Sequence, residues 1–312
     1  MTTVLPDTAE ARREPGPAAR RRRGSLTHPS RTGLALVTPA LVFVVGLVFV
    51  PLGAAVYISL TNFPLIGDYH FIGLRNYTSV LTDGSFWRAV GYTTLYTAIV
   101  TLPVLALGYL MAVLVRSPRR GAKLLRTLLF LPYVIGLSTL SFLVLLEVQP
   151  DSGLVNVVLR ALGLSDGSTA WLVSGPLGTV VICVFVLWAA PGLTMVLLMA
   201  GMQAIPHEVY ECAELDGASW WRRERSITIP MLRRSIALCT IISVIGSFLA
   251  FTQFYILTQG GPGSATTTTV LAIYQRAFVQ LQLGSATAMS LILVVLTGVV
   301  TAAQFWLLRE RD

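Results

Sequence analysis

Residues 285–307 read SATAMSLILVVLTGVVTAAQFWL and contain no charged side chain. A helix needs roughly 20 predominantly apolar residues to cross the hydrocarbon core of a bilayer, so this stretch is long enough to span a membrane. Five similar stretches precede it, with charged residues only at their borders, at about 34–60, 89–115, 125–147, 177–202 and 236–257. We therefore predict an all-α, polytopic membrane protein with six transmembrane helices.

The composition of the whole chain agrees with a membrane protein. Of its 312 residues, 54% are hydrophobic and 12% are charged, and the mean hydropathy is +0.71. Soluble domains average about 25% charged residues, so a soluble enzyme is excluded. A membrane-embedded enzyme stays an alternative, but it would need clustered His, Asp or Cys. The three histidines lie in tail or loop positions and the three cysteines lack CxxC spacing, so we predict no catalytic residue and no metal site.

The basic residues are distributed unevenly between the two sides of the membrane. Six spans place both termini on one side, and 19 of the 23 basic residues then fall on that side. The positive-inside rule makes it the cytoplasm, so we predict a multi-pass protein of the cell (plasma or inner) membrane with cytoplasmic N- and C-termini. The net charge of +8 then reflects topology and contacts with membrane lipid, and nucleic acid is not a partner. Residues 1–31, with the run Arg20–Arg23, are predicted to be a disordered basic cytoplasmic tail before a six-span domain at 32–312.

The six spans carry no Asp, Glu, Lys, Arg or His near their centres. Proton- and sodium-coupled carriers usually place such groups at membrane depth, which argues against a secondary transporter, although sodium sites built from carbonyls and hydroxyls stay open. The one lysine, Lys123, lies in RGAKL, without the glycine spacing or the following Ser or Thr of a phosphate-binding loop. The chain cannot hydrolyse ATP by that route, so energy for active transport would enter from another protein.

The loop after the fourth span, residues 205–230, has the most informative polar pattern. It reads IPHEVYECAELDGASWWRRERSITIP. Pro206 and Glu208 suit the start of a helix, and Gly217 suits its C-terminal end. Pro230 is expected to open the next segment. The helix carries small residues that let a partner approach closely, namely Cys212, Ala213, Gly217 and Ala218, and the tryptophans at 220 and 221 suit either a partner or the membrane interface.

This loop resembles the cytoplasmic motif of the permease subunits of ABC importers, which is Glu-Ala-Ala, three residues, Gly, nine residues and Ile-x-Leu-Pro. The chain has Glu211-Cys212-Ala213, then Gly217, then Ile227-Thr228-Ile229-Pro230 at those spacings. The flanking residues Tyr210, Asp216, Ala218 and Ser219 are similar to the carbohydrate branch, of the maltose-permease type. That branch commonly has an aromatic residue where this chain has Glu224. Further stretches that resemble the branch are residues 71–77, 131–133, 257–262 and 284–286.

The resemblance implies a division of labour between this chain and its partners. The coupling loop, residues 205–230, would dock on an ATP-binding subunit through Glu211, Ala213, Asp216, Gly217, Ala218, Ile227 and Pro230. ATP and Mg would bind to that subunit and no cofactor to this chain. The implied complex has two ATP-binding subunits, a second permease chain in a heterodimer (or a second copy of this chain) and an extracytoplasmic solute-binding protein.

A polar face on the fifth span is the candidate substrate path. Four small residues fall at i, i+3, i+4 and i+7, namely Ser243, Gly246, Ser247 and Ala250. Such a stripe is equally typical of a packing seam between helices, and both interpretations stay open. The resemblance implies that this face lines a sugar site together with Tyr133 and Trp188, whose rings suit stacking on a sugar. The amides of related permeases are absent at 247 and 250, and Gln253 is a candidate replacement.

We therefore interpret the sequence as the membrane-spanning permease subunit of an ATP-driven ABC importer for a sugar or oligosaccharide. The alternative within transport is an ABC importer for a non-sugar solute, such as a phosphodiester or a polyamine.

Overall fold

The structure is a computed structural model that describes residues 30–64, 67–117, 120–150 and 152–308. The predicted tail lies outside the described residues except for Ser30 and Arg31, which begin the first helix. The described residues form helices, with two isolated β-bridges and no strand. The prediction of an all-α fold is confirmed. The described residues divide into two compact units, one up to Leu52 and one from Gly53 onward.

Six helical regions correspond to the six predicted spans, and we number them span 1 to span 6 in chain order. Five are long and apolar enough to cross a membrane: spans 1, 2, 4, 5 and 6 at Leu36–Ser59, Gly84–Val115, Gly175–Gln203, Arg233–Leu257 and Leu283–Leu308. Span 3 is a pair of helices, Ala122–Ile135 and Leu137–Glu147, bent by 92°. The bounds of the six helical regions lie within a few residues of the bounds predicted for the six spans.

The individual helices are α1 (Ser30–Val44), α2 (Val50–Ser59), α3 (Arg75–Thr82), α4 (Gly84–Val115), α5 (Ala122–Ile135), α6 (Leu137–Glu147), α7 (Leu154–Ala161), α8 (Gly175–Ala189), α9 (Pro191–Gln203), α10 (His207–Leu215), α11 (Trp220–Arg223), α12 (Ile229–Met231), α13 (Arg233–Phe248), α14 (Thr252–Leu257), α15 (Thr269–Tyr274) and α16 (Leu283–Leu308). Three π-helical segments interrupt this series at Val45–Phe49, Glu224–Thr228 and Gln275–Val279.

Spans 3, 4 and 5 are each divided into two α-helices, and span 4 is divided only at Ala190, which keeps helical dihedral angles. Span 3 turns at Gly136, whose φ of 90° and ψ of 143° are readily available only to glycine. Span 5 is interrupted between α13 and α14, at residues 249–251. The hydroxyl of Thr268 donates a hydrogen bond of 2.9 Å to the carbonyl of Ala250, which satisfies a backbone group released by this break. The apolar composition of both regions gave no sign of either interruption.

The prediction that Pro230 opens a new segment is wrong, because Pro230 lies inside a helical run from Trp220 to Met231. The N–H of Ile229 bonds to the carbonyl of Glu224, five residues back, and closes a π turn immediately before the proline. Val50 makes the same bond to Val45 immediately before Pro51. Since proline has no N–H to continue the helical ladder, the wider turn lets the helix pass it.

Span 2 is the central element of the second unit. It packs against spans 4 and 5 and contributes to two large buried apolar clusters, besides a small one that contains Phe86. One cluster surrounds Tyr96, with Ile182 and Phe254 fully buried beside it. The other lies near the end of span 2 that adjoins the coupling loop and contains Ala112, Val115, Met195, Leu198 and Leu232. Span 2 thus connects the coupling loop to the rest of the bundle.

Candidate functional site

The coupling loop contains the predicted short helix. The helix α10 begins after Pro206 and ends at Leu215, and Gly217 follows with a φ of 70°. The N–H of Ala218 bonds to the carbonyl of Ala213 at 2.9 Å, and the N–H of Gly217 bonds to that of Glu214 at 3.0 Å. These two bonds are a Schellman motif, which requires a left-handed residue at the position of Gly217. The glycine is therefore needed for the shape of the loop itself.

The predicted coupling residues do not all face outward. Those exposed to solvent are Glu211, Asp216, Gly217 and Pro230, and those half-buried are Ala218 and Ile227. Ala213 is only 8% exposed and belongs to the interior of the chain. Leu215 is 89% exposed, the highest value among the exposed large apolar side chains. An apolar side chain so exposed beside the helix end suits a surface that a partner covers.

Two contacts brace the coupling loop internally. Arg223 forms an ion pair with Glu214, which ties α11 to α10. The hydroxyls of Tyr210 and Thr228 lie 3.1 Å apart and tie α10 to the π-helical segment. The loop is therefore a folded unit rather than an extended connection.

Glu224 was missed as a structural residue in the sequence analysis, where it was only a departure from an aromatic position. The structure buries it to 2% exposure. Tyr109 Oη donates a hydrogen bond of 2.6 Å to Glu224 Oε2, and the Arg116 guanidinium pairs with Oε1. Tyr109 lies in α4 and Arg116 directly follows its last residue, so Glu224 attaches the coupling loop to the end of span 2. The sequence contains a hint of this ion pair, since Arg116 directly follows an apolar span and Glu224 interrupts a run of arginines.

A polar cavity of about 720 Å³ lies beside this contact, between the end of span 2 and α10. Its lining includes His207, Tyr210, Glu214, Trp220 and Arg223. The two glutamates that line it, at 214 and 224, each pair with an arginine. In the described part of the chain, no group of three or more His, Cys, Asp or Glu side chains is arranged to hold a metal ion.

The predicted substrate path separates into an accessible part and a buried part. Tyr133 and Trp188 are 44% and 53% exposed, Gly246 is exposed and Ser243 is half-buried. The buried residues, each at most 8% exposed, are Ser247, Ala250 and Gln253. Ala250 and Gln253 do not continue the predicted face because α13 ends at Phe248, after which the helical period no longer applies.

The buried members of the predicted path contact the core of this chain. Gln253 Nε2 donates a hydrogen bond of 3.3 Å to Tyr96 Oη. Ala250 lies in the apolar cluster around Tyr96. The residues of the predicted path that the structure leaves accessible are therefore Tyr133, Trp188, Gly246 and, in part, Ser243.

Two stretches that resembled the carbohydrate branch meet at the end of span 1. Asn76 Nδ2 donates to the carbonyls of Ser59 and Thr61, both at 2.7 Å. A Cβ added to Gly284 would lie 2.2 Å from the Thr61 carbonyl oxygen. Residues 71–77 and 284–286 therefore have a packing role, which explains why a small residue is required at 284.

The fold and the coupling loop define a class of protein: a polytopic membrane protein in which a folded loop between two spans is attached to a central span. Comparison with known proteins makes this specific. Residues 85–311 match the family described as the binding-protein-dependent transport system inner membrane component, and the chain belongs to this family. It is thus the permease subunit of an ABC importer that works with a solute-binding protein.

Relatives of similar length support this assignment. The chain is 33% identical to the diacetylchitobiose uptake system permease protein of Streptomyces coelicolor, with 98% of this chain and 91% of that protein covered. It is 32% identical to the multiple sugar-binding transport system permease protein of Streptococcus mutans, with 88% of this chain and 94% of that protein covered. It is 30% identical to the sn-glycerol-3-phosphate transport system permease protein of Agrobacterium fabrum, over 88% and 94%.

Solved structures share the fold. A bacterial ABC transporter involved in the import of the acidic polysaccharide alginate has a chain that matches with a TM-score of 0.80 at 19% identity, covering 91% of this chain and 96% of that one. A second structure, of the bacterial alginate ABC transporter with an alginate-pentasaccharide-bound periplasmic protein, matches with a TM-score of 0.79 at 20% identity, over 90% and 94%. At these identities the likeness concerns the fold.

Proposed function

We propose that the chain is the permease subunit of an ATP-driven importer for a sugar or oligosaccharide. The observation that carries the proposal is the coupling loop: the motif from Glu211 to Pro230 begins on the helix α10, which exposes Glu211 and Leu215, in a chain of the importer family. The names of the Streptomyces and Streptococcus relatives support a carbohydrate. The accessible rings of Tyr133 and Trp188 suit stacking on a sugar face.

A non-sugar solute is the second candidate, and a specific observation favours it. The glycerol-3-phosphate relative is nearly as similar as the sugar relatives, at 30% identity. A phosphorylated solute would need basic side chains on its path. The four residues we propose to line the accessible path, at 133, 188, 243 and 246, are uncharged, which favours a neutral substrate.

Partners follow from the same proposal. Two ATP-binding subunits would bind ATP and Mg and close on hydrolysable nucleotide, and the coupling loop would follow their motion. A second, similar permease chain would complete the path, and the solute-binding protein would deliver the substrate on the outer side. The chain itself would perform no chemistry. Both termini would be cytoplasmic, as the distribution of basic residues indicates.

Uptake of a labelled panel tests the proposed function. Cells with and without this chain are given diacetylchitobiose, other neutral oligosaccharides, monosaccharides, glycerol 3-phosphate and a polyamine. We expect loss of uptake for one carbohydrate, restored by a plasmid copy. Loss of glycerol 3-phosphate or polyamine uptake alone would establish the second candidate, and unchanged uptake of the whole panel would contradict both.

A further inference from the structure

Glu224 is a buried carboxylate where the coupling loop meets span 2. Its two oxygens bind side chains at the same end of span 2: Tyr109 of α4 donates to Oε2 at 2.6 Å, and Arg116, which follows α4, pairs with Oε1. The Glu224 side chain is 3% exposed and that of Arg116 is 27% exposed. A carboxylate removed from water is retained in a fold only when its charge is paired and its oxygens are hydrogen-bonded, and both conditions are met here.

The other side-chain hydrogen bonds and ion pairs described for the coupling loop stay within it. The Glu214–Arg223 pair and the Tyr210–Thr228 hydrogen bond connect its parts to one another. Of the side-chain hydrogen bonds described for residues 205–230, those of Glu224 reach a different span. Apolar packing of Tyr210 against the cluster near Val115 supports the same junction but is not directional.

A displacement of span 2 would also move span 4, because the turn of span 2 that contains Gly108 and Tyr109 is in close contact with span 4. A Cβ added to Gly108, the residue before Tyr109, would lie 2.5 Å from the Cβ of Thr194. Close-packed helices transmit strain because there is no free volume to absorb it. A pull on Tyr109 and Arg116 would therefore move span 2 together with span 4.

We propose that Glu224 is a positioning residue that makes the coupling loop and span 2 move as one body, so that motion of the loop becomes motion of the spans. The inference rests on the proposed function and names the contact through which the coupling loop would move span 2. An aromatic residue at 224 would fill the same space but would hold span 2 only by non-directional packing. The carboxylate instead fixes two donors that lie about two helical turns apart, Tyr109 within α4 and Arg116 at its C-terminal end.

The test uses the complete complex, reconstituted in vesicles with its ATP-binding subunits, second permease chain and binding protein. The variants are Glu224→Gln, Arg116→Gln, the double variant and Tyr109→Phe, which removes only the phenolic O–H. Glu147→Gln is the matched control, because Glu147 is an exposed carboxylate at the far end of span 3. Two quantities are measured: ATP hydrolysed per substrate molecule imported, and the midpoint of thermal unfolding.

The two measurements distinguish a Glu224–Arg116 pair that couples the loop to span 2 from one that only stabilises the fold. Each single substitution at 224 or 116 leaves a charge unpaired and should lower the unfolding midpoint, whereas the double variant removes both charges and should recover most of it. If Glu224 couples the loop to span 2, the number of ATP molecules hydrolysed per substrate molecule imported should rise on the order of tenfold in Glu224→Gln, in Arg116→Gln and in the double variant. A hydrogen bond to a charged group is worth about 1.4 kcal/mol or more, which corresponds to that factor. Tyr109→Phe should show a smaller rise and Glu147→Gln none.

Three results would overturn the inference. In the first, the double variant regains both the wild-type stability and the wild-type ratio of ATP hydrolysed to substrate imported. The Glu224–Arg116 pair would then have only a structural role. Another is a ratio unchanged in all variants while the wild-type complex imports normally. The third is an absence of import by the wild-type complex, which would overturn the proposed function and this inference with it.

Discussion

Asp83 Oδ2 and Arg276 Nη2 form an ion pair of 2.5 Å although the residues are 193 positions apart. Asp83 also caps the start of span 2, where it accepts hydrogen bonds from the backbone N–H of Ser85 at 2.8 Å and from its hydroxyl at 2.6 Å. Arg276 belongs to the π-helical segment that precedes span 6. The start of span 2 is thereby fixed to the chain that leads into span 6.

The first prediction concerns the pH dependence of this contact. Hydrogen bonding from the Ser85 hydroxyl, then from its N–H, and the nearby Arg276 hold the pKa of Asp83 below its usual value of 3.8 against the opposing effect of partial burial. A carboxyl whose folded-state pKa is depressed stabilises the fold above its unfolded-state pKa of about 3.9 and loses that contribution as pH falls through the folded-state value. Asp83→Asn should therefore have a flatter stability profile below about pH 4 than the wild type.

Thermal unfolding in detergent from neutral pH to pH 3 measures this difference. At pH 7 we expect Asp83→Asn to cost about 1 kcal/mol or less, because the pair is partly solvated and the cap acceptor is kept. Asp83→Ala also loses the cap and should cost about 1 kcal/mol more. Parallel profiles for wild type and Asp83→Asn would show that the ion pair contributes nothing.

The second prediction concerns the substrate path on span 5. Ser247 is 8% exposed, so Ser247→Phe would overpack the interior at a cost of about 1–3 kcal/mol and reduce assembly of the complex. Gly246 is exposed and an added Cβ meets nothing within 4 Å, so Gly246→Phe should leave folding and assembly intact while it blocks the path. Uptake and co-purification of the complex are measured for both variants.

The control for the path is Gly91→Phe, which adds the same ring to an exposed helical glycine of span 2 that also has nothing within 4 Å. We expect it to import normally. Normal uptake by Gly246→Phe would remove Gly246 from the path and favour the packing seam.

The third prediction concerns Gly217. Its φ of 70° strains any other residue, at a cost of about 1–2 kcal/mol, although an added Cβ meets nothing within the chain. We expect Gly217→Asp to weaken association with the ATP-binding subunit or to uncouple ATP hydrolysis from uptake, while abundance of the chain in the membrane is unchanged. Co-purification of that subunit and substrate-stimulated ATPase activity are the measurements.

Gly121 provides a control with the same strain outside the coupling loop. Its φ is 91° and its Cβ position is equally open. Gly121→Asp should therefore lower stability by a similar amount and leave coupling intact. Equal effects of both substitutions on coupling would attribute the result to strain alone.

The fourth prediction concerns orientation. In a variant without Cys183, Cys212 and Cys239, single cysteines are placed at Leu164 and Leu215, whose side chains are 71% and 89% exposed. An impermeant maleimide should label position 164 in intact cells and position 215 only after permeabilisation. The reverse pattern would place the coupling loop outside and contradict the proposed topology.

Much of the architecture follows from the sequence because bilayer solubility leaves few options. A run of about 20 apolar residues can only be helical in hydrocarbon, so the spans were predictable within a few residues. The spacing from Glu211 to Gly217 likewise predicted α10 and its end, since a left-handed C-terminal residue is a local requirement. These properties depend on neighbouring residues and the solvent, both of which the sequence specifies.

The interruptions and the inward-facing residues were decided by tertiary contacts. The turn at Gly136 and the break before Thr252 lie within apolar stretches that a straight helix would also satisfy, and the Thr268 hydroxyl that supports the break comes from a distant loop. The same holds for Glu224: whether a glutamate in an arginine-rich loop faces water or the interior depends on donors 108 and 115 positions away. The sequence by itself therefore determined which segments are long and apolar enough to cross a membrane and where the helix α10 ends, because those follow from local pattern and solvent. Only the tertiary structure decided which face of each segment is accessible and how the loop is attached, because a buried charge is tolerated only where distant partners meet it.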